Sequence, residues 1–283
     1  MKLQSFESAF METTRNGQAS APAYLQELRR DIIMMAAHSG HVGVALSCVD
    51  IVAALYGGVL NCTPATVDSP GRDRFILSKG HGCMALYAVL ARLGFIDRQL
   101  LATYGHNASL LAEHPLAGKV SGVECATGSL GHGLAVGAGM ARGLKLQGIG
   151  ARVFVLLGDG ECNEGSVWEA AALARAGNLD NLVAIVDGNG LQACGRYDDI
   201  SPGGTLAECW KSFGWEVAKA DGHNYGELVD TLSQAAGNGL PRVVLCRTTK
   251  GKGFDFMEGD LEWHYRPVKG GDRDKALGRL GGA

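Results

Sequence analysis

Asp159 stands between Gly158 and Gly160, and Asn189 follows the next apolar run of the chain, with room for one helical crossover between them. A carboxylate and an amide oxygen then project from neighbouring strand ends. With one nearby backbone carbonyl they make three hard oxygen ligands, and two diphosphate oxygens and a water would complete the octahedron that Mg2+ prefers. Taken singly, Gly-Asp-Gly also reads as a turn and Asn189 as a helix cap. Both readings stand until the surrounding residues are added.

Three other signals carry less. The run from Gly131 to Gly137 has one residue too many for the G-x-G-x-x-G dinucleotide fingerprint and reads as a glycine-rich helix start. Lys250 and Lys252 resemble a phosphate loop, but the G-x-x-x-x-G-K-[ST] spacing is absent. Glu258, Asp260 and Glu262 read as a solvated acidic loop.

The elements that must position these groups follow from apolar periodicity. Leu25, Leu28, Ile32, Ile33 and Met35 fall at helical spacing, so a helix is predicted over 23–37 and a second over roughly 47–60. Strands are predicted at 74–78, 153–157, 182–186 and 242–247, with helices over 84–93 and 166–176. Continuous apolar strands separated by helices imply an α/β fold: a mostly parallel sheet with helices on both faces. In such sheets ligands bind beyond the carboxyl ends of the strands, where Lys79-Gly80-His81-Gly82, Gly158-Asp159-Gly160 and Asp187-Gly188-Asn189-Gly190 all lie. No internal repeat is evident.

With 46% hydrophobic and 19% charged residues, a large core is within reach. A net charge of -3 gives no electrostatic reason to expect nucleic acid or an anionic membrane as partner, which leaves small molecules. The first residues lack a secretory signal pattern, and no apolar stretch reaches the length of a membrane span, so the chain is expected in the cytoplasm. Its eight cysteines are scattered with no C-x-x-C pair and read as reduced, mostly buried thiols.

Around the metal-type pair the chain continues Glu164-Gly165, Trp168-Glu169-Ala170-Ala171 and Asn178-Leu179-Asp180-Asn181-Leu182. In that setting it resembles the thiamine-diphosphate motif of transketolases. The resemblance runs from about Leu28 to His264 through Ser39-Gly40-His41, Asp73 to His81, Glu113-His114-Pro115, Thr127-Gly128-Ser129-Leu130-Gly131, Asp221-Gly222-His223, Lys250 to Gly253 and Trp263-His264. It is nearest to the N-terminal, diphosphate-binding halves of split transketolases. Val42 stands where the family usually has proline, and His132 where it usually has glutamine.

This resemblance implies thiamine diphosphate and Mg2+ as cofactors, the metal held by Asp159, Asn189 and the carbonyl of Leu191. Gly128, Leu130, Gly158, Gly160 and Glu161 would contact the cofactor, together with Asn189, His81 and His264. His41, His81, His114 and His264 would be catalytic, facing the donor ketose and moving protons, work that suits a side chain with a pKa near 6.5. His38, His106 and His223 read as structural. The activity implied is transfer of a two-carbon ketol unit from a ketose to an aldose. Two rivals are a related thiamine-diphosphate enzyme acting on pyruvate or another 2-oxo acid, and a non-catalytic cofactor-binding protein.

Residues 1–22 read as an N-terminal arm, 23–268 as the diphosphate-binding domain and 269–283 as a C-terminal tail. In the family the glutamate and the aromatic ring that meet the cofactor's pyrimidine belong to a second domain, for which the residues after His264 are too few. A C-terminal partner subunit, paired as α2β2, is therefore expected to supply it.

Overall fold

The computed structural model describes residues 21–37, 40–201, 204–234 and 239–281. Most of the expected arm, together with His38 and Ser39, lies outside the described residues. In chain order the elements are α1 (Ala21–Met35), α2 (Val42–Ala54), β1 (Arg74–Leu77), α3 (Cys83–Arg92), α4 (Gly133–Leu146), β2 (Val153–Gly158), α5 (Gly165–Ala176), β3 (Leu182–Gly188), α6 (Tyr197–Ile200), α7 (Leu206–Ser212), β4 (Glu216–Asp221), α8 (Tyr225–Ser233), β5 (Arg242–Arg247) and α9 (Gly271–Arg279).

The five strands form one sheet in the order β1-β2-β3-β5-β4, and every pairing is parallel. Alternate residues of each strand sort into two cores. Phe75, Leu77, Phe154, Leu156, Val183 and Ile185 face α1, α2, α3 and α8. Ile76, Val153, Val155, Leu157, Ala184 and Val186 face α4, α5 and Trp210 of α7. Burial on both faces is why the central strands read as unbroken apolar runs.

The strand β4 is not among those expected from the sequence. It is an edge strand, mostly half-buried, and its Glu-Val-Ala-Lys-Ala-Asp sequence is broken by polar residues instead of running apolar. The second helix also begins earlier than its apolar pattern suggested. His41 adopts a left-handed φ of 65°, which ends the preceding loop abruptly and lets α2 start at Val42. All thirteen residues of α2 are buried, and a turn of wider helix, Leu55–Val59, extends it. The window Val42–Val59 is long and apolar enough to cross a membrane, but 94% of it is buried inside the protein. Near the other end, the segment read as a tail holds α9, whose Ala276 is buried in the core shared with α1.

One close approach requires a glycine. In α4 a Cβ on Gly137 would lie 2.5 Å from Val155 Cγ2, so only glycine lets this helix rest on β2. The same helix therefore fixes the Thr127–Gly131 loop that precedes it over the carboxyl edge of the sheet.

Candidate functional site

Parallel pairing puts the carboxyl ends of β1, β2, β3 and β5 along one edge, with Gly158 of β2 level with Asp187 of β3. Asp159 follows directly. Its Oδ1 accepts from Gly160 N at 2.8 Å and its Oδ2 from Gly190 N at 2.6 Å. Asn189 Oδ1 accepts from Leu191 N at 3.1 Å, and the chain then folds back through a bridge between Leu191 and Arg196. That hairpin lays Gln192 over Gly160, where a Cβ would stand 2.8 Å from Gln192 Cγ. Burial, followed by the charge of Asp187, pushes the Asp159 carboxyl up to about 6 in spite of the two N–H donors.

Behind this lies a charged group whose members Lys79 and Asp187 stand in segments noted in the sequence, but whose pairing no motif announced. Asp187, fully buried at the end of β3, accepts from Ser47 Oγ of α2 at 2.5 Å and also from Lys79 Nζ and Thr248 Oγ1. Burial opposes both charges of the Lys79–Asp187 pair. Their mutual attraction, with the hydrogen bonds, outweighs it and holds Lys79 above and Asp187 below their usual ranges. Deleting one partner of such a pair strands the other charge at a cost of about 3–5 kcal/mol. The only sequence signal was position: each member except Ser47 sits at or just past a strand end.

Glu161 is likewise buried. Its carboxylate accepts from Ser78 Oγ, from Gly131 N at 2.9 Å and from Gly158 N at 3.1 Å. It thereby ties together the segments after β1, before α4 and at the end of β2. Both of its oxygens are committed to protein donors, which makes it the joint of the cradle.

Four histidines from four separate segments meet, and two are tied to the strand ends: His81 follows Lys79, which pairs with Asp187, and His264 is held by Lys250 beyond β5. The ring of His41 lies 5.3 Å from His81, 6.3 Å from His114 and 5.2 Å from His264, and His81 stacks with His264 at 5.8 Å. Burial lowers the His41 pKa and takes that of His81 well below the usual value. Burial, then Lys250, takes His264 down to about 3. Near neutral pH these three rings are uncharged donors and acceptors. Lys250 Nζ stands 2.7 Å from His264 Nδ1; as an ammonium it donates, which leaves the ring proton of His264 on Nε2. Burial, followed by Lys79, lowers Lys250 itself to about 8.

His223 takes a structural place, as expected. Thr249 N donates to its Nε2 at 2.8 Å, so Nδ1 carries the proton and donates to Asp50 at 2.7 Å. Asp50 also accepts from Arg29. This chain of contacts anchors the loop bearing Lys250 to α1 and α2. His106 and His132 are exposed, and His38 lies outside the described residues. The acidic loop is exposed too, yet Asp260 caps the short turn Leu261–His264 that delivers His264.

The arrangement fits a diphosphate with a divalent cation. His41 Nδ1, Thr127 Oγ1 and Gln192 Nε2 are buried with no hydrogen-bond partner among the described residues, and all three border the cradle. At Gly128, with φ 142°, an added Cβ would stand 2.9 Å from His114 Cδ2, so the loop lies tight against that histidine. Among the described residues no cluster of three or more His, Cys, Asp or Glu could hold a metal. An ion here would have to draw on single carboxylate, amide and backbone oxygens and on the ligand's own oxygens.

Comparison with known proteins agrees in fold and in family. The family described as transketolase, thiamine diphosphate binding domain, matches residues 19–282. One chain of the apulose-4-phosphate transketolase of Actinobacillus succinogenes is 44% identical over 256 residues, covering 89% of this chain and 93% of the relative. One chain of the 6-deoxy-6-sulfo-D-fructose transketolase of a Clostridium species is 40% identical over 226 residues, covering 80% and 82%. Both relatives are named as subunits of their enzymes. Among solved structures, transketolase from Leishmania mexicana superposes with a TM-score of 0.83 at 27% identity, covering 93% of this chain. The chain spans 41% of that longer protein.

Proposed function

We propose that this chain, which belongs to the transketolase thiamine-diphosphate-binding family, is the half of a split transketolase that holds the cofactor's diphosphate through Mg2+ and moves protons during ketol transfer. The observation that carries the reading is that Asp159 and Asn189 follow the ends of β2 and β3 while His41, His81, His114 and His264 meet one another, His81 next to Lys79 of the buried pair and His264 on Lys250 beyond β5. A partner subunit carrying the pyrimidine-binding domain would complete the site, with two copies of each chain in the assembly. The relatives named for apulose 4-phosphate and for a sulfonated fructose both suggest a ketose bearing a terminal anion as donor.

Thiamine diphosphate, when bound, supplies the electron sink for carbon–carbon bond cleavage. The protein's part is geometry and proton traffic. Asp159, Asn189 and the Leu191 carbonyl would grip the cation, while Gly160 and Gly128 let Gln192 and His114 close against the backbone that would border the diphosphate. His264, held by Lys250, presents its Nε2 proton to the site. Burial keeps the rings of His41 and His81 neutral in the empty site, and negative charge arriving beside them favours their taking up a proton. His114 lines the same space.

Asp159→Ala and Asn189→Ala, each in the assembled enzyme, are expected to weaken Mg2+-dependent thiamine diphosphate binding by about 100-fold or more, because a diphosphate beside a carboxylate needs the bridging ion. Calorimetry giving either variant normal affinity would remove the reading.

A further inference from the structure

We infer that Tyr265 is a substrate-selecting residue: its ring forms the outer wall of the histidine cluster and meets the part of the donor sugar beyond the reacting carbons. The inference rests on the ketol-transfer reading above.

The ring of Tyr265 lies 4.5 Å from that of His264 and 5.2 Å from that of His41, both edge-on. It is 64% exposed, while its neighbour His264 is only 8% exposed. A large aromatic side chain left that open contributes little to the core, yet its backbone is closely held. Gly40 seats directly on the Tyr265 carbonyl, where any Cβ would overlap, and His41 N donates to His264 O at 2.9 Å. The main chain is therefore clamped between the loop before α2 and the turn Leu261–His264, and the phenol stands at the rim of the cluster.

A ring in this place offers an apolar face to the C–H groups of a sugar and a hydroxyl to its oxygens. The neighbouring Arg266 is turned to other work: it pairs with Asp272 at 2.5 Å and with Glu262, and stacks over Trp263. Discrimination at this wall thus comes from shape and a single phenolic hydroxyl. A methylene in a closed apolar pocket is worth about 10- to 200-fold in kcat/KM, and an open wall such as this one falls at the low end of that range.

The test uses the enzyme assembled with its partner subunit, comparing xylulose 5-phosphate with fructose 6-phosphate as donors. Tyr265→Ala is expected to shift the ratio of kcat/KM toward the six-carbon donor by about tenfold, chiefly through KM, with thiamine diphosphate affinity and association of the two chains changed by less than about twofold. Tyr265→Phe keeps the ring, so a ratio near wild type there assigns the selection to shape, and a shift as large as that of Ala assigns it to the hydroxyl. An unchanged ratio in Tyr265→Ala overturns the inference. So does a shift that only tracks a loss of association between the chains, which makes Tyr265 an interface residue. Absence of ketol transfer from the wild-type pair with these two donors, and with apulose 4-phosphate and 6-deoxy-6-sulfo-D-fructose beside them, would instead overturn the proposed function.

Discussion

At the scale of single residues, the Asp159 carboxyl is caught between two demands. It must ionise to bind a cation, yet burial and Asp187 hold its pKa up near 6. The folded chain grips this proton more tightly than the unfolded chain, so the group destabilises the apoprotein as pH rises through about 4 to 6 and fully above that. For a shift of about two pKa units the cost is roughly 3 kcal/mol. A bound cation removes that cost. The rise in melting temperature on adding Mg2+ with thiamine diphosphate should therefore be clearly larger at about pH 7.5 than at about pH 5, where the proton competes with the metal. Equal gains at the two pH values in differential scanning calorimetry would contradict this account of Asp159. The residue types at this site were legible in the sequence because Asp159 and Asn189 stand at strand ends. Their support was not: Ser47, Lys79 and Thr248 converge on Asp187 from three distant segments, and no spacing along the chain announces that.

At the scale of elements, α4 sets the position of the Thr127–Gly131 loop by resting on β2 through a glycine. Alanine normally favours a helix over glycine by about 1 kcal/mol. At Gly137 the added methyl group would meet Val155 at 2.5 Å, whereas at Gly139, in the same helix, it meets nothing within 4 Å. Gly137→Ala should thus lower stability by about 1–3 kcal/mol, and Gly139→Ala should leave it unchanged or raise it by up to about 1 kcal/mol. Urea midpoints of the two variants of the isolated chain give the comparison; similar shifts for both would refute close packing as the reason for Gly137. Buried helices and central strands were evident from their apolar runs. The edge strand β4 was not, because a half-exposed edge needs no such run.

At the scale of the whole molecule, the sheet is covered on both faces by α1 to α5 together with α7 and α8, so this chain has a complete core of its own. What it does not supply, on the reading proposed above, is the glutamate and aromatic platform for the cofactor's pyrimidine. By itself the chain should then unfold cooperatively yet give no ketol transfer with cofactor, Mg2+ and donor, and the partner subunit should restore the activity. Sedimentation should show two of each chain in the active form. Robust transfer without the partner would overturn the division of labour.

By itself the sequence determined the α/β class, the strand ends that bear the metal-type pair and, through its motifs, the family. These depend on apolar runs and on short stretches in which neighbours along the chain are neighbours in space. The four histidines were expected together through the family resemblance, but only the tertiary structure gave their ring contacts and decided that Glu161 joins three segments, that Lys79 and Asp187 pair beneath the site and that Tyr265 stands at its rim. Those contacts depend on how loops fold back over the carboxyl edge of the sheet. Their direction is set by long-range hydrogen bonds and close glycine approaches, which leave no period in the sequence.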